Sequence, residues 1–97
     1  MSSHLLQVFL SYRGNNPGIF EVLVSKEDNE LTCTCPGFNV KGDCKHVQTV
    51  ETRIGNNGGI YPFKFLGTVK ENDLKAAMET EILFREFVIK NTKIEVI

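Results

Sequence analysis

The sequence has no surplus of positive charge. Its 11 lysines and arginines stand against 12 aspartates and glutamates, for a formal net charge of −1. Phosphate contacts supply most of the non-specific affinity for nucleic acid. Binding by bulk charge is therefore excluded, which leaves room only for a small basic patch. Long apolar runs are also missing. No stretch reaches the roughly 18 residues of a membrane span. Residues 1–7 lack a basic region followed by a long apolar core, so no leader and no membrane partner are expected. There is no internal repeat and no low-complexity segment. Enzyme signatures are missing as well: neither H-E-x-x-H nor the H-x-E and C-x-x-C pairs of zinc deaminases occur. Of the 2 histidines in the chain, His46 falls in metal-ligand spacing with the cysteines, so no Ser-His-Asp set is credible. The run Gly55 to Gly59 lacks the lysine and the following helix of a P-loop. The expectation is a protein that is not an enzyme.

Cysteine is scarce but concentrated. All 3 cysteines, Cys33, Cys35 and Cys44, fall within residues 32–47, together with His46. The spacing is C-x-C, eight residues, then C-x-H. Four soft or borderline ligands match the coordination number of structural zinc. Leu31, Cys33 and Cys35 alternate with Thr32 and Thr34, which reads as a strand with both thiols on one face. Pro36-Gly37 reads as a turn that stops it, and Lys41-Gly42-Asp43 as a second turn. From Cys44 onward Val47, Val50 and Ile54 follow a helical period. Residues two apart on a helix point roughly 160° apart. Cys44 and His46 can therefore share an ion only if Cys44 sits at the helix start, where the dipole also favours a thiolate. The competing readings are buried apolar cysteines with a satisfied histidine, or a Cys33–Cys35 disulfide closing a very small loop.

These residues carry a resemblance. C-x-C, eight residues, C-x-H, with Pro36, Phe38 and the triplet Cys44-Lys45-His46, resembles the SWIM zinc finger over about residues 20–55. The resemblance implies a two-stranded hairpin followed by a helix, with Zn²⁺ held by Cys33, Cys35, Cys44 and His46. It also implies a module that binds DNA or protein in DNA-handling assemblies. Four ligands leave no open position of the kind a catalytic zinc keeps.

At 97 residues the chain reads as a single domain, residues 1–97. It buries only about 60–65% of its unfolded surface, so a structural zinc supplements a modest core. Three thiolates on Zn²⁺ take the net charge to about −2. Cysteines kept as ligands suit a reducing, intracellular setting.

The fold class reads as α+β: a small antiparallel sheet with a zinc-pinned ββα finger and a longer C-terminal helix. Strands are expected over 5–12, 19–25 and 31–35, with residues 26–30 as a solvated hairpin tip. On the first strand Leu6, Val8 and Leu10 should share one face, and Leu5, Gln7 and Phe9 the other. His4 is expected to be solvated rather than a ligand. The first helix should run from near Cys44 to about Ile54 and end in the glycine- and asparagine-rich segment. Opposite its apolar stripe lie Lys45, Gln48, Thr49, Thr52 and Arg53, which with Lys41 are candidate contacts to nucleic acid or a partner; a plain solvated face is the alternative. Tyr61, Phe63 and Phe65 alternate as an edge strand because of Pro62. They read as core, with a base-stacking platform as the alternative. Thr68 to Glu71 fits a capping box that opens the second helix, and residues 93–97 alternate as a last strand. The segment Ile82 to Ile89 is apolar on most sides of a helix, so it needs cover, either from the sheet or from a second copy.

The functional expectation is a zinc-dependent interaction module that contacts protein, within a DNA-handling complex. Direct DNA binding is the first alternative. A thiolate redox sensor that releases metal on oxidation is the second.

Overall fold

The computed structural model describes residues 3–13 and 16–96. Three strands come first: β1 (Ser3–Arg13), β2 (Asn16–Ser25) and β3 (Leu31–Cys33). Two helices follow, α1 (Pro36–Lys41) and α2 (Lys45–Asn56). The chain closes with α3 (Glu71–Ala77), α4 (Glu81–Asn91) and β4 (Glu95–Val96). The sheet order is β3-β2-β1-β4. β1, β2 and β3 pair antiparallel, whereas β4 joins Phe9 and Leu10 of β1 in parallel, so the sheet is mixed. Among the described residues no helix is long and apolar enough to cross a membrane.

The long β1–β2 hairpin carries an irregularity between Leu5 and Gln7. One extra residue on one strand reverses the alternation of everything beyond it. Leu6 therefore shares a buried cluster with Phe9 and Val22, and Leu5 shares another with Val8. The simple alternation expected for this strand fails for that reason. Val22 and Leu23 are successive residues on β2 and point to opposite faces. They belong to different clusters, which places the two on opposite faces of the sheet.

The first cluster joins Leu6, Phe9 and Val22 to Cys33, Cys35, Val47, Val50 and Tyr61. It is the core of the finger. The second joins Leu5 and Val8 to Phe84 and Val88 of α4. Burying a side chain such as Phe84 or Val88 contributes about 1.5–3 kcal/mol, so two residues suffice to seat this short helix. Arg85 on its flank forms an ion pair with Glu21 of β2. Thr80 starts α4, its hydroxyl accepting from the Leu83 amide at 3.1 Å.

Several expectations are revised here. The C-terminal helical region is two helices, α3 and α4, separated at residues 78–80. The capping box at Thr68 does not form: α3 begins at Glu71 with Lys70 as an N-cap lacking a side-chain bond. Residues 61–66 form no strand, only a bridge between Phe65 and Thr92. Pro62 has no amide to donate, which works against a ladder. The aromatic row is nonetheless largely core: Tyr61 is buried and Phe63 packs against both clusters. His4 is not simply solvated, because its ring lies 4.7 Å from that of Phe84.

A polar chain ties α2 to the rest of the fold. Arg53 forms a bidentate ion pair with Glu95 of β4, with Nη2 at 2.8 Å from Oε1. Its Nη1 also donates to the Tyr61 hydroxyl at 3.1 Å. That hydroxyl donates to Oε1 of buried Gln7 at 2.7 Å, and Gln7 Nε2 donates to the Lys93 carbonyl at 2.8 Å. Arg53, Glu95, Tyr61 and Gln7 are each hydrogen-bonded within this network, which is what makes the buried polar side chains tolerable. Burial holds the Tyr61 hydroxyl above its usual range, and the hydrogen bond from Arg53 holds the Glu95 carboxyl below its own.

Candidate metal centre

Each of the four candidate ligands is placed by a different local feature. Cys33 ends β3, paired with Val22. Its neighbour Thr34 keeps the chain against β2 beyond the strand: the Thr34 amide donates to the Glu21 carbonyl at 3.1 Å, and its hydroxyl accepts from the Glu21 amide at 3.0 Å. Cys35 is the N-cap of α1, in extended conformation. Pro36 at the first helical position supplies a preset φ and lacks an amide that would be an orphan there. Gly42 ends α1 with φ 71°, a left-handed conformation that favours glycine, and its amide closes on the Phe38 carbonyl at 2.7 Å. The loop between the ligand pairs is therefore not two turns but a one-and-a-half-turn helix, and it returns the chain to the site.

Cys44 is the N-cap of α2, with φ −161° and ψ 167°. Its sulfur accepts from the Val47 amide at 3.4 Å. Because Cys44 lies before regular helical geometry begins, it is freed from the angle that would separate it from His46. His46 sits in the first turn, buried between the rings of Phe9 at 5.2 Å and Phe20 at 5.6 Å.

The result is a cluster in which the ligand atoms of Cys33, Cys35, Cys44 and His46 all lie within 4.8 Å of one another. Cys33 Sγ stands 3.7 Å from His46 Nδ1. Zinc–sulfur bonds of about 2.3 Å and zinc–nitrogen bonds of about 2.0–2.1 Å imply tetrahedron edges of about 3.6–3.8 Å. The cluster needs contraction of no more than about 1 Å along its longest edge to meet that shape. All three cysteines are free thiols, so the disulfide alternative is not realised. The donor set and its spread fit a four-coordinate structural zinc, with Cys33, Cys35, Cys44 and His46 holding it.

The electrostatics are uneven. Burial pushes the Cys33 thiol up to about 12. Burial also raises Cys44. At Cys35 burial acts in the same direction, but the Phe38 amide, the Cys44 and Cys33 thiols and the Gly37 amide together outweigh it and bring the thiol below its usual value. Cys35 is thus the sulfur most ready to lose its proton. Metal capture must displace the protons held on the thiols, most firmly at Cys33, so affinity should rise with pH.

The candidate partner contacts are less uniform than the sequence suggests. Gln48 Nε2 donates to Asp43 Oδ2 at 2.9 Å. The hydroxyls of Thr49 and Thr52 donate to the carbonyls of Lys45 and Gln48, at 2.8 and 2.9 Å. Arg53 is engaged with Glu95 and Tyr61. Lys41 and Lys45 are exposed. Neither takes part in an ion pair among the described residues, and both flank the metal cluster with Val40, which is 82% exposed. Glu95, Tyr61 and Gln7 went unrecognised in the sequence, because nothing local to Arg53 signals a partner 42 positions later.

No curated protein and no solved structure matches the chain. The family model of the SWIM zinc finger matches residues 20–55, from β2 through most of α2. That span holds the hairpin, both ligand pairs and the helix they pin, and so the chain carries a SWIM-type zinc finger built around Cys33, Cys35, Cys44 and His46.

Proposed function

We propose that this protein is a zinc-dependent interaction module whose finger docks on a protein partner within a DNA-handling assembly. The observation that carries this reading is the use of the polar face of α2. Gln48, Thr49, Thr52 and Arg53 all direct hydrogen-bonding groups to the chain itself. That leaves Lys41 and Lys45 beside the exposed Val40, on a chain of net charge −1. An apolar residue flanked by two cations suits a protein surface with an acidic rim better than a phosphate ladder. Zinc supplies the clamp: bound by Cys33, Cys35, Cys44 and His46, it fixes α1 and α2 relative to the hairpin. With four protein ligands the site has no open position, and the reading includes no catalytic role. The outer face of α4 supports self-association as part of the same reading, since Ile82 and Ile89 are 71% and 43% exposed.

The test is affinity capture from the native cell with the zinc-loaded chain, analysed with and without nuclease, beside a Val40→Asp variant. A protein partner retained after nuclease and lost with Val40→Asp is expected. Recovery of nucleic acid alone would overturn the proposal.

Direct DNA binding is supported by one observation: Lys41 and Lys45 take part in no ion pair among the described residues. It predicts DNA retention at low salt that falls steeply as salt rises and drops in a Lys41→Ala, Lys45→Ala double variant. Lack of retention at low salt would remove it.

A further inference from the structure

The two buried clusters do not merge. Among the described residues Phe63 packs against both. β4 pairs with β1 at Phe9 and Leu10, and His4 and Leu6, earlier on β1, line a space shared with α4 and with Tyr61, Phe63 and Phe65. At this seam lies a cavity of about 500 Å³. Its walls include Tyr61, Phe63, Phe65, Phe84 and Phe87, with His4 beside them. The rings are already ordered: Phe63 and Phe65 lie nearly parallel at 6.0 Å, and Phe84 meets Phe63 edge-on at 5.8 Å.

The lining decides the chemistry. It contains no Asp, Glu, Lys or Arg. His4 Nε2 is buried without a hydrogen-bond partner among the described residues. Burial, helped by Lys26 and opposed by Glu81, lowers the His4 pKa, so the wall is uncharged at neutral pH. A charged molecule would lose hydration here with no opposite charge on the lining to offset the loss. Aromatic walls favour flat rings in offset or edge-on contact. The volume falls within the roughly 300–1,000 Å³ of small-molecule sites.

We propose that this cavity binds a neutral, planar aromatic small molecule of two or three rings, seated among Tyr61, Phe63, Phe65 and Phe87 with one hydrogen-bonding group toward His4. The site is separate from the metal cluster and from the surface around Val40. Because Ile54 of α2 also lines it, ligand binding should depend on the zinc-pinned position of that helix.

The test is an amide NMR titration of the zinc-loaded full chain at pH 7.5 with indole, 2-naphthol and flavone, and with 2-naphthoate as the charged counterpart. Saturable shifts at Gly59, Phe63, Leu74 and Phe87 are expected. Affinity should be on the order of 10 µM for flavone, at a few tenths of a kcal/mol per heavy atom. 2-Naphthoate should bind at least tenfold more weakly than 2-naphthol. Met78→Trp, at the mouth, should fill the cavity and weaken flavone at least tenfold with zinc content unchanged. Phe65→Ala, at the exposed rim, gives an independent reading and should weaken flavone several-fold. Shifts confined to the finger, equal affinity for 2-naphthoate, or unchanged affinity in both variants would overturn the proposal. So would a wild-type dimer that Met78→Trp renders monomeric, because the occupant would then be a second copy.

Discussion

Replacing Cys44 with serine separates two roles that one sulfur plays. Cys44 is a candidate metal ligand and also the N-cap of α2, accepting from the Val47 amide. Serine is among the best N-caps, worth about 1 kcal/mol over alanine. The cap therefore survives Cys44→Ser, and only the ligand is lost. Zinc binding to finger sequences is worth about 10–16 kcal/mol in apparent terms. If the four ligands share it equally, one of them carries about 2.5–4 kcal/mol. For a chain of this length each kcal/mol moves the melting temperature by about 4–8 °C. The zinc-loaded variant should thus melt about 10–30 °C below the wild type when followed by far-ultraviolet circular dichroism. In excess chelator the two melting curves should superimpose to within about 1 kcal/mol, because the cap is equivalent. A difference that persists undiminished in chelator would refute the reasoning, since the sulfur would then act through packing alone.

Leu5→Ala probes the opposite face of the sheet. Leu5 is 1% exposed in the cluster with Val8, Phe84 and Val88, which contains no metal ligand. It should lose about 2–5 kcal/mol in urea unfolding, by the same amount with and without zinc; a zinc-dependent loss would contradict the two-cluster description. Glu95→Gln breaks the bidentate pair with Arg53 and should lose about 1.5–3 kcal/mol while leaving zinc stoichiometry unchanged. The hydrogen bond from Arg53 holds the folded-state pKa of Glu95 below the ordinary glutamate value, so the pair contributes fully above that ordinary value and its contribution fades as pH falls through and below it. The stability gap between wild type and Glu95→Gln should accordingly be constant near neutrality and narrow in acid; a gap that widens in acid would sink the assignment. Apparent zinc affinity, followed by competition with a chromophoric chelator, should increase between pH 6 and pH 8, because proton release from the buried thiols opposes capture; a flat profile would argue against thiolate ligation.

The clustering of Cys33, Cys35, Cys44 and His46 was legible in the sequence because its information is local. Two ligand pairs, a proline and a helical period fall within residues 32–54, and the requirement that Cys44 precede the helix follows from angle alone. What escaped was either a misread local signal or a distant contact. Pro36 at a first helical position and Gly42 just past the last are the standard marks of a short helix; reading each as a turn concealed α1. The glutamate at Glu71 did mark a helix start, but Thr80 caps a second helix, and the apolar period runs across the break between them. The irregularity near Leu6 leaves no compositional trace, yet it reverses the facing of Val8 and Phe9. Arg53 looked available for phosphate because its helix face is polar. Its partner, Glu95, comes from a two-residue strand at the far end of the chain, and only the parallel pairing of β4 with β1 brings it there.

The account rests on one ion joining three sulfurs to one imidazole. Its most direct test is X-ray absorption at the zinc edge on protein purified without chelator, with the metal quantified in the same sample. One zinc per chain, with a shell of three sulfurs near 2.3 Å and one nitrogen near 2.0–2.1 Å, is the predicted result. Substoichiometric metal, or a shell of oxygen and nitrogen without sulfur, would contradict it.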